Sequence, residues 1–265
     1  MSGERAERWQ DAHHWDVKTL RAHFLDRHRG RVGTRTLDAV GHALLEIDRT
    51  DRVLAIGMSH LGDVLQAGRV DVGFGAPRHR FYTPVAEWIE DEGERPSMVG
   101  IRLPNTHDIL QRVWRSRVPV AYDDVPNNPL CQALVDEFAA TSSRAMLVQR
   151  LDAGGESFGC ACVDDLDHGR TWKPSEHEYL HRFCVDFFAP ILAISRQLSA
   201  KRRPDKPSPA ELEVIRFAAH GLSYKEIAVA LEKSVRTVEA QLRSARQKTG
   251  ATNQAELVRL CAHWL

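Results

Sequence analysis

The sequence predicts an α+β unit, an antiparallel sheet with flanking helices, followed by an all-α unit of four helices. Three observations carry this reading. Strand-like apolar runs cluster between residues 70 and 165, with helical periodicity before, between and after them. A proline-rich, cationic stretch, SAKRRPDKPSP at 199–209, then interrupts the apolar pattern. Beyond it, helix-start signals recur at short intervals to the end of the chain. The expected boundaries are a helical segment over 1–34, the sheet-containing unit over 35–198, a linker over 199–207 and the helical unit over 208–265.

Residues 5–29 and 35–66 read as helices, the second carrying Leu37, Val40, Leu44 and Ile47 at helical spacing. Five strands follow: VDVGF at 70–74, RFYTPV at 80–85, VPVAY at 118–122, RAMLVQR at 144–150 and FGCACVDD at 158–165. IRLPNTHDILQRVWRSR supplies a short helix between the second and third, and Ser175 is expected to cap a last helix reaching about Leu198. In FGCACV, Cys160 and Cys162 alternate with Ala161 and so face one side of the sheet. They read as small apolar residues of a buried face, with metal or redox chemistry as the alternative. The five cysteines are an odd number, scattered and without a C-x-x-C pair, so reduced thiols are expected and no cofactor or metal is assigned.

With 265 residues, 43% hydrophobic and 27% charged, the chain has the composition of a globular protein able to bury a core. Its first thirty residues lack an apolar signal region, and FFAPILAI, the longest apolar stretch, is far shorter than the roughly 20 residues of a membrane span. A cytoplasmic location without membrane contact is expected. The net charge of zero hides an asymmetry. From Lys201 onward there are 12 Lys and Arg against 7 Asp and Glu, a net of +5; the first 200 residues hold the other 24 cations and 29 anions, a net of −5. The tail alone suits a polyanionic partner.

Each helix of that tail has its own punctuation. Ser208-Pro209-Ala210-Glu211 and Ser223-Tyr224-Lys225-Glu226 are capping boxes, Gly221 is placed as the residue after the first helix, Ser234 caps the third helix and Asn253 the fourth. The second and third helices are separated by Glu232-Lys233, the proportions of a helix-turn-helix. Val235, Val238, Leu242 and Ala245 form the expected inward stripe of the third helix, leaving Arg236, Glu239, Ala240, Arg243 and Gln247 outward.

The string E-L-E-V-I-R-F-A-A-H-G-L-S-Y-K-E-I-A-V-A-L-E-K-S-V-R-T-V-E-A-Q-L-R-S-A-R-Q-K-T-G-A resembles the C-terminal DNA-binding domain of the LuxR family of bacterial transcription regulators. The resemblance implies double-stranded DNA as partner, with Lys225 and Thr237 on the phosphate backbone, Glu239, Ala240 and Arg243 at base edges, and Lys248 near a further phosphate; Arg236 joins this DNA-binding set through its place on the cationic outward face. Arg243 has the chemistry for bidentate contact with a guanine. Three residues depart from the family pattern: Gln241 for a frequent histidine, Tyr224 for a frequent asparagine, Thr249 for a usual leucine. The first two should alter surface contacts, and the third should remove apolar burial.

From Ile109 onward, I-L-Q-R-V-W-R-S-R-V-P-V-A-Y-D-D-V-P…R-A-M-L-V-Q-R-L-D-A-G-G-E-S-F-G-C-A-C-V…W-K-P-S-E-H-E-Y-L resembles GAF domains, with coverage of about residues 35–198. The resemblance implies a pocket for a small molecule between sheet and helices, and homodimerisation through the end helices. The N-K-F-D-E signature of cyclic-nucleotide binders is absent. Candidate pocket aromatics are Phe74, Phe81, Tyr82, Trp88, Trp114 and Tyr122, each also readable as ordinary core. An autoinducer-binding domain is the runner-up, though its spaced tryptophan, tyrosine and aspartate pattern is not found. A ligand-independent regulator, using this unit only for dimerisation or docking, is a further alternative. No receiver-domain acidic pair is present.

HEYLH at 177–181 spells the H-E-x-x-H string of zinc hydrolases. Its first histidine falls in the first turn of the expected helix, where the positive end of the helix dipole opposes a cation, and no third ligand follows. A helix face that happens to spell the motif is the better reading. The whole sequence is therefore expected to be a non-enzymatic, ligand-responsive transcription regulator.

Overall fold

The computed structural model describes residues 15–90, 95–201, 206–249, 251 and 253–265. The part of the expected first helix before Trp15 lies outside the described residues, as does Gly250. The chain divides into two compact units, residues 1–199 and 200–265.

The first unit is built on a six-stranded, fully antiparallel sheet: β1 (Arg69–Phe74), β2 (Phe81–Ile89), β3 (Leu103–Pro104), β4 (Val120–Tyr122), β5 (Ala145–Ala153) and β6 (Glu156–Asp165), in the order β3-β2-β1-β6-β5-β4. Five of these are the strands the sequence predicts. The sixth, β3, lies at the start of IRLPNTHDILQRVWRSR, the stretch expected to supply a short helix, which begins only at Asp108. This strand is two residues long, too short to show a period, and its proline is tolerable because the strand is an edge.

Side-chain alternation divides the sheet into two faces. Val70 and Val72 of β1, Ala145, Leu147 and Leu151 of β5, and Ala161 and Val163 of β6 point to one core. It is closed by α1 (Val17–Phe24), α2 (Thr34–Leu45), α3 (Thr50–Leu65), α6 (Pro174–Phe183) and α7 (Ala189–Lys201), with a π-helical turn, Cys184–Phe188, joining the last two. On the other face, Tyr82, Met146, Val148, Cys160 and Cys162 meet α4 (Asp108–Arg115) and α5 (Val135–Ala140) through Ile109, Val113, Trp114 and Phe138.

Two expectations for the helices need correction. Residues 35–66 are two helices, α2 and α3, broken at Glu46–Arg49, where Arg49 takes an extended backbone (φ −121, ψ 92). The buried stripes Thr36–Val40–Ala43 and Leu54–Met58–Leu61–Leu65 are nearly in phase, so the period gave no sign of the break. A straight helix of that length, roughly 48 Å, would carry half its apolar stripe past the sheet. The last helix starts at Pro174, with Lys173 rather than Ser175 as cap residue. Proline prefers the first helical position, and the Glu176 carboxylate accepts the Lys173 N–H at 2.6 Å.

The second unit holds α8 (Pro209–Ala219), α9 (Tyr224–Ala230), α10 (Val235–Thr249) and α11 (Gln254–Cys261). Their core is Leu212, Val214, Ile215, Ile227, Val238, Leu242, Ala245, Leu257 and Cys261. Both capping boxes form: Glu211 and Glu226 bond back to the Ser208 and Ser223 N–H groups, whose hydroxyls accept from the Glu211 and Glu226 N–H groups. Ser234 Oγ accepts the Thr237 N–H at 3.1 Å, and Asn253 accepts the Glu256 N–H at 2.9 Å. No helix among the described residues is long and apolar enough to cross a membrane.

Candidate nucleic-acid interface and a buried polar cluster

The turn between α9 and α10 aims the second helix. Leu231 ends α9, Glu232 takes the left-handed conformation (φ 51), and the Lys233 N–H returns to the Ala228 carbonyl at 2.9 Å while the Glu232 N–H bonds Val229. These two bonds are the Schellman pattern, usually built with glycine. The Lys233 ammonium then ties the turn to Glu213 of α8 at 2.9 Å. With Val238, Leu242 and Ala245 buried, Arg236, Glu239, Ala240 and Arg243 stand exposed at helical spacings of three and four. Lys225 is exposed in the first turn of α9, and Thr237 is exposed with its hydroxyl 2.8 Å from Ser234 Oγ. The structure thus gathers Arg236, Glu239, Ala240 and Arg243 on one solvent face. The side chain of Gln247 lies outside the described residues.

Other tail residues sit differently from expectation. Val235, placed in the inward stripe, is exposed at 37%, because its turn precedes the bundle core. Lys248 is held by Glu211, its ammonium 2.9 and 2.8 Å from the two carboxylate oxygens. Burial alone would raise the pKa of Glu211, but hydrogen bonds from Lys248, Ser244 and Ser208 outweigh it and hold the group at about 2. Lys248 therefore clamps the start of α8 to the end of α10. Thr249 is buried rather than lost to the core, its hydroxyl donating to the Ala245 carbonyl at 2.8 Å. Tyr224 packs against the unit's core and Gln241 is half-buried, so neither is purely a surface change.

In the first unit the six candidate aromatics do not converge. Tyr82, Trp114 and Tyr122 lie in the core on the α4–α5 face, their polar atoms used by the Cys160 carbonyl, Asn105 and the Ile109 carbonyl. Phe74 and Trp88 pack on the opposite face, Phe74 beneath the Arg196 guanidinium at 4.0 Å. Phe81 is flanked by Arg102 at 4.2 Å and Arg80 at 5.2 Å. Of the six, Tyr82 lines a cavity of about 40 Å³ on the α4–α5 face, together with Met98, Leu103, Phe138, Met146 and Cys160.

That cavity's floor is charged. The register sets Arg69 opposite Asp164 and Asp71 opposite Cys162, four neighbours on two central strands pointing to one face. Arg69, fully buried, donates to Asp164, to Ser143 Oγ at 2.7 Å and to the Thr141 carbonyl at 3.0 Å. Asp164 also accepts from Ser143 at 3.0 Å, and its other oxygen accepts the Cys162 thiol at 2.9 Å. Asp71 is 2% exposed, and its Oδ2 has no hydrogen-bond partner. Burial, then the neighbouring Asp164, push its carboxyl well above the usual carboxylate range. Among the described residues, one group of three possible metal ligands comes together: Asp71, Cys162 and Asp164, their ligand atoms all within 4.8 Å of one another. Sequence reading placed Cys160 and Cys162 on one face and missed the acids. The available signal was Arg69 and Asp71 at alternate positions of an otherwise apolar strand; the pairing of β1 with β6 was not readable.

HEYLH falls on α6. His181 Nδ1 lies 3.1 Å from Gln149 Oε1 of β5, and Glu178 is exposed beside Arg182 at 3.6 Å. The two groups serve sheet packing and a surface ion pair.

Residues 208–261 match the family model of the bacterial regulatory proteins, luxR family. The comparison with curated protein sequences gave no match. Similar solved structures include the blue-light absorbing form of the Thermosynechococcus elongatus PixJ GAF domain, 18% identical with a TM-score of 0.47 over 64% of this chain and 94% of that one. The GAF domain of a phosphoenolpyruvate-protein phosphotransferase from Coxiella burnetii is 17% identical, with a TM-score of 0.49 over 63% and 97%.

Proposed function

We propose, from the premise that residues 208–261 form a LuxR-family helix-turn-helix domain and make the chain a DNA-binding transcription regulator, that α10 reads a specific operator in the major groove while the GAF-like first unit controls it. The observation that carries this reading is the exposed face Arg236–Glu239–Ala240–Arg243 on a helix whose opposite face is buried and whose entry turn is fixed by backbone bonds. In this reading Arg243 and Glu239 reach base edges, whereas Lys225, Arg236 and Thr237 hold phosphates. Lys248 contributes through its pair with Glu211, by holding α10 in place, rather than as a free cation. The chain acts as a homodimer on a two-fold site in the cytoplasm, and no catalysis is assigned to it.

The test is a comparison of variants on an operator selected from random duplexes. Arg243→Ala should cost about 1–3 kcal/mol on the selected site and relax preference at one base pair, while Lys225→Ala should weaken all duplexes alike and flatten the salt dependence. Equal losses on every sequence for both variants would overturn the assignment. Sedimentation of the full chain, alone and on the operator, checks the dimer.

The cavity bears on what controls the regulator. At about 40 Å³ it is far below the roughly 300 Å³ where pockets for organic ligands begin, and it holds little more than one or two waters. A controlling ligand bound at this face is therefore small.

A further inference from the structure

We propose that Asp71, Cys162 and Asp164 form a site for one divalent transition-metal ion in the floor of this cavity. Three observations support it independently of each other. The ligand atoms lie within 4.8 Å of one another on two adjacent strands, so neither loop ordering nor domain movement is needed to assemble them. Asp71 lines the cavity, and its Oδ2 is buried without a hydrogen-bond partner. The third is charge: Arg69 spends its hydrogen bonds on Asp164, Ser143 and backbone carbonyls and makes none to Asp71, whose carboxyl burial keeps from ionising until a further cation arrives.

The chemistry follows from the donors. On binding, the Cys162 thiol, which donates to Asp164 Oδ1, releases its proton to water and coordinates as thiolate. Asp164 Oδ1, freed of that donor, turns to the ion, while Oδ2 stays with Arg69 and Ser143, which orient the carboxylate. Asp71, whose carboxyl burial keeps protonated in the empty site, likewise releases its proton to water, and its Oδ2 supplies the third donor. Two carboxylates and a thiolate set against one guanidinium leave two negative charges, which a dication neutralises. Ligand atoms around such an ion, at roughly 2.0–2.3 Å from it, sit about 3.5 Å apart, so small side-chain rotations close the site. One thiolate with two carboxylates suits zinc or iron(II) better than magnesium or calcium, which take oxygen alone. The cavity leaves room for a water at the remaining position.

The ion is then the small ligand that the cavity admits, and only this regulatory consequence rests on the reading of the first unit as the controlling part. The experiment uses the full chain, chelator-treated under reducing conditions and titrated with cobalt(II). We expect one equivalent bound, a thiolate-to-cobalt absorption band and a raised melting temperature. Cys162→Ala should abolish the band, Asp71→Asn, which keeps the side-chain shape, should weaken binding at least about tenfold, and Cys160→Ala should change neither. Circular dichroism of each variant separates ligand loss from misfolding. Uptake below about a tenth of an equivalent by the wild type, or a band that survives in Cys162→Ala, would overturn the proposal. The titration contains no DNA, so its failure leaves the operator reading untouched, and failure of the Arg243 test leaves the metal site untouched.

Discussion

Acidification should destabilise the first unit through His60, a residue of α3 buried against α6. Its ring is 6% exposed, lies 2.6 Å by Nε2 from the Tyr179 hydroxyl and packs on Phe183 with ring centroids 5.0 Å apart. Burial is the main cause of a pKa lowered from 6.5 to about 4; Arg35 lowers it further and Asp63 opposes. The native state thus refuses a proton that the unfolded chain accepts. Stability from this group is complete above about pH 6.5 and is lost as pH falls from there toward about 4. At about pH 4.5 the linkage relation gives a loss of roughly 2.5 kcal/mol relative to pH 7.5, nearer 2 once relaxation around the ring is allowed. The assay is urea unfolding followed by tryptophan fluorescence, since Trp88, Trp114 and Trp172 all belong to this unit. Comparison with His60→Leu isolates the term, because Tyr179 keeps Thr36 as a partner at 2.9 Å and every other titrating group is common to both proteins. The variant should be less stable at neutral pH by about 1 kcal/mol for the lost hydrogen bond, and the gap should close or reverse near pH 4.5. Parallel stability curves for the two proteins across this range would refute the reasoning.

Two backbone positions give further expectations. A Cβ on Gly62 would lie 2.0 Å from the Trp88 ring, so Gly62→Ala should lower the urea midpoint of the first unit by an amount equivalent to about 1–3 kcal/mol, despite alanine's better helix propensity; an unchanged midpoint would contradict the packing of α3 on β2. Glu232 holds a left-handed backbone at the α9 end, and Glu232→Gly should raise the thermal stability of the second unit by about 0.5–1 kcal/mol; a lower melting temperature would mean that its side chain matters to the turn more than its φ.

What could be read without a structure was what depends on near neighbours in the chain. The capping boxes at Ser208 and Ser223, the Gly221 stop and the strand alternation in FGCACV are local, each fixed by a few residues and the hydrogen bonds they can reach. The outward face of α10 followed from helical spacing, whereas the LuxR-type reading came from the resemblance of the whole string to that family. Where the chain must meet itself at a distance, local pattern was silent. The break between α2 and α3 leaves the apolar phase almost intact, β3 is too short to have a period, and the Glu211–Lys248 pair joins residues 37 positions apart. The register of β1 on β6 sets Asp71 beside Cys162 and Arg69 beside Asp164, the latter pair 95 residues apart in sequence. Sequence determined which side of each strand those groups face; only the tertiary pairing decided which of them share a buried space, because the free energy of a charge in a core depends on the groups across the sheet as well as on those two positions along its own strand.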